Sequence, residues 1–341
     1  MARRARGFRI LTVLCLLLFP VACTSTAKPV NGTTKIRLVE VTHSIFYAPQ
    51  YVAMSQGFFK EEGLDIDLTN GNGGDKTMTT LVSNQSDIVL VGAEAGIYVT
   101  ARTSSQPVVA FAQLTQTDGS FLVSREPIPS FSWSMLKGKT LLGQRRGGMP
   151  EMVSEYVQRK NGIEPHRDVE IVQNVAYQNL APAFASGTGD FVQLFEPFAS
   201  KLEQEGKGYI VASFGKDSGH VPYTCYLAKK SLLKQNPDLI KRFTRAVYKG
   251  QKWVESHSAA EIADVIQEHF PDTDRSILVR VIERYKSQGS YAVDPVIGEE
   301  EYQHLLEIMD QAGELPKRVP YEQLIDTEIS REAMKEVGAK K

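Results

Sequence analysis

The stretch IRLVEVTHSIFYAPQYVAMSQGFFKEEGLDIDL, residues 36–68, places a helical segment between two short apolar runs. Ile36–Val41 and Asp65–Leu68 are typical of buried strands, and Pro49–Glu62 has the length of a helix. Parallel strands need such a crossover segment between them, so this order favours a parallel sheet. We therefore expect an α/β fold.

The same alternation of strands and helices continues to about residue 230. The further predicted strands are Asp87–Val91, Val108–Leu114, Phe121–Ser124, Thr140–Gly143, Val169–Gln173, Phe191–Phe195, Tyr209–Phe214 and Tyr223–Ala228. The predicted helices between them are Lys76–Ser83, Glu94–Thr103, Pro150–Lys160, Leu180–Ala185 and Pro197–Glu205. Later segments are all helical, at Ala259–Phe270, Arg275–Ser287 and Glu299–Ala312. Short apolar strands separated by helices predict mostly parallel sheets flanked by helices on both faces.

Two passages of the chain divide this pattern into lobes. The strand before Glu126 is followed by Glu-Pro-Ile-Pro, and Val221-Pro222 precedes the strand Tyr223–Ala228. The predicted domains are a discontinuous first lobe at 35–120 and 222–325, a second lobe at 121–221 and a C-terminal tail at 326–341. We expect a ligand cleft between the lobes, because α/β sheets bind ligands at the carboxyl ends of their strands.

Composition narrows the class of protein. The 341 residues are 42% hydrophobic and 23% charged, which is ordinary for a globular chain. The chain has 39 basic and 40 acidic side chains, so it has no excess of basic charge that would favour a nucleic-acid partner. Cys15, Cys23 and Cys225 are too few for a disulfide framework. The histidines are scattered without a metal-binding spacing, so no metal site is predicted.

The N-terminus has the pattern of a secretory signal peptide, residues 1–22. Four arginines precede the apolar run Ile10–Phe19, which is shorter than the ~20 residues of a membrane-spanning helix. Pro20-Val21-Ala22-Cys23 resembles a bacterial lipobox, with Pro20 replacing the usual leucine. Cleavage by an ordinary signal peptidase is the alternative. We expect Cys23 to carry the lipid and residues 23–34 to form a tether.

Removal of residues 1–22 would change the charge of the chain. It takes away four of the 39 basic side chains and no acid, which leaves 35 against 40 and a formal charge of −5. The expected mature protein is mildly acidic, extracytoplasmic and anchored to the bacterial cell membrane.

Residues 42–68 resemble the opening of the taurine, nitrate, aliphatic-sulfonate and thiamine-pyrimidine-precursor group of ABC-transporter substrate-binding proteins. Other similar segments are Gly73-Gly74-Asp75, Ser86–Gly92, Leu136–Lys139 and Phe195-Glu196-Pro197. The resemblance implies a two-lobed type II periplasmic-binding fold that closes around one small molecule. It also implies delivery to an ABC permease whose ATPase is a separate chain. We expect a monomer without a cofactor.

The resemblance also argues against an enzyme. A related branch includes fungal enzymes that make the thiamine pyrimidine and carry a cysteine-rich iron motif. This chain has no such cysteine cluster.

Candidate ligand-binding residues in the first lobe follow the predicted strands. They are His43, Ser44, Phe46, Tyr47, Gly73, Gly92, Glu94, Gln113 and Thr115. The histidine, serine and aromatic rings could form a polar handle and a wall. The glycine loops could turn amide groups toward an anion at a helix N-terminus. The structural alternatives are a capping or surface imidazole at His43 and a tight turn in which Asp75 caps the next helix.

In the second lobe and the return passage the candidates are Arg145, Gly147, Asn174, Glu196 and Tyr223, with Thr224 beside it. An arginine before a helix can bind a carboxylate or sulfonate, although two adjacent arginines do not readily share a face. A solvated loop is the alternative. Glu196 would repel a sulfonate and accept a hydrogen bond from an exocyclic amine, unless Arg145 neutralises it or it caps the next helix.

These residues favour a receptor for a small nitrogen heterocycle similar to a thiamine pyrimidine precursor. The first alternative is an aliphatic sulfonate or taurine receptor with Arg145 on the anion. The alternative from another class is a secreted enzyme acting on a small heterocycle.

Overall fold

The computed structural model describes residues 32–102 and 107–339. The predicted signal peptide 1–22, the predicted lipidation site Cys23 and most of the predicted tether 23–34 lie outside the described residues. No helix within the described residues is long and apolar enough to cross a membrane.

The described strands and helices follow the predicted order. The strands are β1 (Thr34–Glu40), β2 (Leu64–Asn70), β3 (Ile88–Gly92), β4 (Val108–Thr115), β5 (Ser120–Ser124), β6 (Thr140–Leu142), β7 (Glu170–Val172), β8 (Phe191–Phe195), β9 (Tyr209–Ser213) and β10 (Thr224–Lys229). The helices are α1 (Ala48–Ser55), α2 (Phe58–Glu61), α3 (Gly74–Val82), α4 (Ala93–Arg102), α5 (Met149–Lys160), α6 (Leu180–Ala185), α7 (Phe198–Gln204), α8 (Phe214–Ser218), α9 (Lys230–Gln235), α10 (Pro237–Ser256), α11 (Ala259–Ile266), α12 (Arg275–Ser287), α13 (Glu299–Gln311), α14 (Tyr321–Leu324) and α15 (Glu328–Gly338).

The strands form two five-stranded sheets, with the orders β2-β1-β3-β10-β4 and β7-β6-β8-β5-β9. We call each sheet with its helices the first and the second lobe. In each sheet four strands share one direction and one runs against them, β10 in the first and β5 in the second. The predicted α/β, two-lobed, mostly parallel fold is confirmed.

The two antiparallel strands are the two passages between the lobes. The chain leaves β4 and enters β5 after four residues, and it returns into β10 after α8. Each passage strand starts at the edge where the parallel strands of its new sheet end, so it must run against them. The passages also bind each other, because the Val221 and Tyr223 amides donate to the Gln116 and Thr115 carbonyls at 3.0 and 3.2 Å.

Two predicted helices are shorter than expected. Pro49–Glu62 was predicted as one helix, but Gly57 has a φ of 75° and divides it into α1 and α2. Only glycine adopts this left-handed conformation without strain, so the break follows from the residue itself. Similarly, α11 ends at Ile266 and a 3-10 turn at Gln267–His269 follows.

The predicted C-terminal tail contains helix α15. Its Ser330 is fully buried, and the Ser330 hydroxyl donates to the Phe111 carbonyl of β4. Arg245 of α10 pairs with Glu336 of α15 at 2.5 Å. These contacts join the end of the chain to the first lobe.

Three strands, the central β3, the edge strand β4 and the passage strand β5, are buried along their whole length. Every residue of β3, β4 and β5 is inaccessible or nearly so, as expected for strands covered by helices on both faces. This rigid core determines where the strand ends lie, and Thr224 pairs with both Gly92 and Thr115 at the edge that faces the second lobe.

Candidate ligand site between the lobes

Glu94 lies directly after the central strand of the first sheet, at the start of α4. Its side chain is 7% exposed, and its Oε2 atom has no hydrogen-bond partner among the described residues. Burial raises the pKa of Glu94 to about 7, although the amides of Glu94, Ala95 and Met149 face the carboxyl group and oppose that rise. Met149 belongs to α5 of the second lobe, so the carboxyl group lies where the lobes meet.

Glycine at position 92 makes room for this carboxyl group. A Cβ atom built on Gly92 would lie 1.9 Å from Glu94 Oε2. Any other residue at this strand end would therefore displace the carboxyl group. The predicted site residues Gly92 and Glu94 thus act as one unit, the glycine by its lack of a side chain.

A second buried acid, Asp118, lies in the passage between β4 and β5. Its Oδ1 accepts hydrogen bonds from the Ser120 amide and hydroxyl at 2.6 and 2.5 Å, whereas its Oδ2 has no partner among the described residues. Burial raises the pKa of Asp118 to about 6. The buried Tyr223 hydroxyl faces Asp118 without a hydrogen bond of standard geometry.

The predicted residues Thr115 and Tyr223 belong to the same group of atoms. The Thr115 hydroxyl is fully buried and unpaired among the described residues. The charges of both Asp118 and Glu94 raise the pKa of Tyr223, after the larger effect of burial. Tyr223 therefore lies near both acids, and four buried polar atoms in this region lack a partner among the described residues. Buried polar atoms are normally satisfied, so such a group indicates a place for a ligand or water.

Aromatic rings form one wall of this region. Phe46 is 1% exposed and packs against Phe195 of β8, Tyr223 and Tyr285 of α12 at ring distances of 6.1, 5.7 and 5.0 Å. A Cβ atom on Gly119 would lie 2.7 Å from the Phe46 ring. The predicted wall residue Phe46 is therefore a packed contact between the lobes.

The predicted partner of Phe46, Tyr47, faces the buried polar groups. Its side chain is 3% exposed and lies beside Thr224. Burial raises the pKa of Tyr47 well above its usual value, and the nearby Glu40, Tyr177 and Glu94 add to the effect. Tyr47 and the second-lobe Tyr177 thus lie close enough to contribute to one site.

Glu196 stands at the end of β8 before α7, as predicted, but its carboxylate has partners within the chain. Its carboxylate is inaccessible and pairs with Arg284 of α12, while the Ser200 amide and hydroxyl each donate to it at 2.9 Å. Burial raises the pKa of Glu196, and Arg284 opposes the rise. The expectation that Arg145 neutralises it is wrong, because Arg284 occupies that position. With these donors in place, the carboxylate has little capacity left for a ligand amine.

His43 and Ser44 also have intramolecular partners. His43 Nδ1 lies 2.8 Å from buried Glu40 Oε1, and His43 Nε2 lies 2.7 Å from the His269 carbonyl. The hydrogen bond to Glu40 raises the pKa of His43. Ser44 accepts from the Phe46 amide at 3.2 Å and donates to the Glu196 carbonyl at 3.5 Å. Both side chains support the fold around the site.

Three amides of the predicted glycine loops already have acceptors within the chain. The Gly71 and Gly73 amides donate to the Glu40 and Val41 carbonyls at 2.8 and 3.0 Å. The Gly147 amide donates to Glu151 Oε2 at 3.1 Å. The alternative cap at Asp75 is also wrong, since Gly73 is the N-cap of α3.

Arg145 lies at the surface. Its side chain is 67% exposed and pairs with Asp75 of the first lobe at 3.4 Å. The neighbouring Arg146 pairs with Glu314 at 2.8 Å. The structure places neither guanidinium group beside the buried acids, whose pKa values are shifted by no cationic side chain.

Two further predicted residues lie outside the buried group. Gln113 Nε2 donates to the Val296 carbonyl at 2.7 Å, which joins β4 to the segment before α13. Asn174 is exposed. A separate groove of about 560 Å³ lies at the opposite end of β4, where Val109, Lys230 and Ile325 are among its lining residues. That groove is remote from the strand ends that face the second lobe.

Sequence reasoning missed Asp118, Tyr177 and Arg284. Asp118 stands in the short Thr117-Asp118-Gly119 segment between two apolar strands, a signal for a passage residue at the cleft. Tyr177 and Arg284 lie in a loop and a helix without any such mark, and only their spatial neighbours reveal them.

The NMT1/THI5-like family profile matches residues 45–260 of the chain. The chain belongs to this family. The protein named "Putative binding protein YtlA" from Bacillus subtilis (strain 168) is 55% identical over 330 residues, which cover 97% of this chain and 98% of that protein.

Two solved structures extend the likeness of fold. The alkanesulfonate-binding protein SsuA from Xanthomonas axonopodis pv. citri, bound to MOPS, is 14% identical with a TM-score of 0.70, covering 87% of this chain and 99% of its own. The periplasmic nitrate-binding protein NrtA from Synechocystis PCC 6803 is 16% identical with a TM-score of 0.67, covering 89% of each chain. The family member described here therefore has the two-lobed fold of ABC substrate-binding proteins.

Proposed function

We propose that this chain is the solute-binding lipoprotein of an ABC importer and captures a small nitrogen heterocycle similar to a thiamine pyrimidine precursor. The observation that carries the proposal is the buried group between the lobes. Glu94 and Asp118 each hold a carboxyl oxygen without a partner among the described residues, beside tyrosines from both lobes. A flat ligand with N–H groups would satisfy these oxygens.

The charge of this region argues against an anionic ligand. A sulfonate or nitrate placed beside two buried acids without a nearby cation would lose its hydration, and it would meet repulsion once the acids ionise, above about pH 6 for Asp118 and about pH 7 for Glu94. The Gly71, Gly73 and Gly147 amides of the glycine loops already donate to atoms of the chain. The heterocycle is therefore preferred over the sulfonate and taurine alternative.

A role in transport rather than catalysis agrees with the fold and with the relatives. The solved structures above are binding proteins by their printed names. Buried acids next to tyrosines supply hydrogen bonds to a bound molecule, which is what a receptor requires. We infer an extracytoplasmic receptor that acts as a monomer and docks on a permease with a separate ATPase.

A thermal-shift screen tests the ligand class. The purified full chain in detergent is heated with thiamine, its formylated and free aminomethylpyrimidine precursors, taurine, an alkanesulfonate and nitrate. A ligand that binds only the folded state raises the midpoint by mass action. We expect a shift with a pyrimidine and none with the anions. A shift with a sulfonate or nitrate alone would contradict the heterocycle and leave the receptor role intact.

Conversion of a pyrimidine tests the enzyme alternative. The protein is incubated with the ligand that raises its unfolding midpoint. The ligand is then recovered, and its mass is measured by mass spectrometry. Recovery of unchanged ligand is expected for a receptor. A changed mass that depends on the protein would overturn the transport role.

Intact-mass analysis of membrane fractions tests the anchor. We expect a chain that begins at Cys23 with a diacylglyceryl mass, and a Cys23→Ala variant that is released from the membrane. An unmodified chain in the soluble fraction would contradict the anchor without affecting the ligand.

A further inference from the structure

We propose that Glu94 determines the ligand specificity of the site between the lobes, by accepting a hydrogen bond from a cationic or N–H-bearing nitrogen of the ligand. This inference rests on the proposed function and names the atom that performs it. The sequence pointed instead to Glu196 for this role.

The position of Glu94 is prepared by its own lobe. Gly92 leaves the space that the carboxyl group fills, and the amides of Glu94 and Ala95 at the start of α4 face it. These amides account for part of the carboxyl group's hydrogen-bonding capacity. Its Oε2 atom stays buried and unpaired among the described residues, so it needs a donor from elsewhere.

The surroundings of Glu94 supply no cationic donor among the described residues. The titratable groups that face it are Tyr47, Tyr98, Tyr223 and Cys225, all neutral at pH 7. No cationic side chain shifts the pKa of Glu94. The Tyr98 hydroxyl is itself engaged, since it donates to the Gly147 carbonyl at 3.1 Å.

The second lobe completes the surroundings of Glu94. The Met149 amide at the N-terminus of α5 faces the Glu94 carboxyl group. The Glu94 carboxyl group therefore lies where it can contact both the ligand and the second lobe. A donor on the ligand and the α5 amide can stabilise the same carboxylate, which would link recognition to closure.

The chemical class of the ligand group follows from this arrangement. A carboxylate forms its strongest hydrogen bonds with cationic donors and with N–H groups, whereas an anion at the same place would be repelled. An exocyclic amine on a ring, an amidine-like N–H pair or a protonated ring nitrogen meets this requirement.

A pair of ligands tests the role of Glu94. The full chain in detergent is titrated by calorimetry with 4-amino-5-hydroxymethyl-2-methylpyrimidine and with the same molecule lacking the 4-amino group, so that only the first carries an exocyclic amine. We expect Glu94→Gln to weaken the first ligand by about 10- to 100-fold, the value of a hydrogen bond to a charged group. The second ligand should change less than about threefold.

Glu196→Gln is the matched control. Its carboxylate is paired with Arg284 and Ser200, so the substitution should alter the ratio of the two affinities by less than about threefold. If Glu196→Gln collapses the ratio and Glu94→Gln preserves it, the assignment is overturned in favour of Glu196. If the wild-type protein binds neither pyrimidine, the proposed ligand class and the role of Glu94 fail together.

Gly92→Ala provides an independent variant that keeps the carboxyl group. The new methyl would occupy the place of Glu94 Oε2 and push the carboxyl group away. Binding of the amine-bearing ligand should fall about tenfold or more, while circular dichroism shows a folded protein. A folded Gly92→Ala protein with unchanged affinity would contradict the geometry on which the inference depends.

Discussion

Two buried glutamates follow the central strands of the two sheets, and their surroundings differ. Glu94 comes after β3 and Glu196 after β8, and both side chains are nearly inaccessible. Arg284 and Ser200 satisfy Glu196, whereas Glu94 retains an oxygen without a partner among the described residues. Glu196 thus stabilises the fold of the second lobe. Glu94, at a similar place in the first lobe, remains available for a ligand.

The difference teaches how to distinguish a structural acid from a binding one. Burying a carboxylate is costly unless a cation and hydrogen bonds compensate it. Arg284 supplies the cation for Glu196 from an element 88 residues away in sequence. Glu94 has no such partner, so its ionised form is unfavourable until a donor arrives.

Removing the cation that pairs with Glu196 should have the largest effect on the free energy of unfolding. Arg284→Met leaves the Glu196 carboxylate buried without its cation, and we expect a loss of about 3–5 kcal/mol in the free energy of unfolding. Urea denaturation at pH 7 measures it. The double variant with Glu196→Gln should recover most of the loss, because no uncompensated charge remains. If the free energy of unfolding of Arg284→Met lies within about 1 kcal/mol of the wild-type value, the pair of Glu196 and Arg284 does not stabilise the fold.

Removing the charge of Glu94 should stabilise the unliganded protein at high pH. The pKa of Glu94 is about 7 in the folded chain against 4.5 ordinarily, so its contribution to stability is full below pH 4.5 and falls as the pH rises to 7. Relative to wild type, Glu94→Gln should gain about 3 kcal/mol between pH 4.5 and pH 8. Denaturation curves across that range measure the gain.

A matched substitution separates this effect from a general change of charge. Glu300→Gln removes a carboxylate from an exposed position on α13 and should leave the pH dependence as in wild type. Equal pH profiles for Glu94→Gln and wild type would contradict the raised pKa of Glu94.

A third strand-end acid, Glu40 at the end of β1, sharpens the comparison because its partner is a histidine. The hydrogen bond to Glu40 raises the pKa of His43, so the stability that protonated His43 adds is full below pH 6.5 and is lost as the pH rises through its folded pKa. His43→Gln should cost about 1 kcal/mol at pH 6 and less at pH 9. The exposed His220→Gln serves as control, and an equal cost at both pH values would contradict the role of protonated His43.

The smallest effect is expected at the surface. Arg145 pairs with Asp75 at 3.4 Å while mostly exposed, and such pairs contribute little in water. Arg145→Ala should change the free energy of unfolding by less than about 0.5 kcal/mol and leave pyrimidine affinity unchanged. A tenfold loss of binding in a folded Arg145→Ala protein would return the anion receptor to consideration.

Much of the fold could be predicted from local patterns. The bounds of β8, α6 and α12 match the predicted ranges, and other strands differ by one or two residues at their ends. Strand and helix periodicity depend on neighbours in sequence, so a single chain reveals them. Even the break in the first helix has a local cause, the left-handed conformation of Gly57.

The site could be predicted only by region. The sequence indicated that residues after the strands would face a cleft, and Gly92, Glu94, Thr115 and Tyr223 do lie together there. It did not indicate Asp118 or Tyr177, and it favoured Glu196 over Glu94. The two glutamates are alike in local sequence, each standing just after an apolar strand and before a helix.

The sequence by itself determined the alternation of strands and helices, the two passages and the strand ends at which acids stand. Only the tertiary structure decided which acid is paired, because Arg284 reaches Glu196 through the packing of α12 against the second lobe. Hydrogen bonds and ion pairs require separations of about 3 Å, and no sequence pattern reports a distance between residues so far apart in the chain. Because a buried carboxylate is costly without a partner, the paired Glu196 stabilises the fold, whereas the unpaired Glu94 remains available to a ligand.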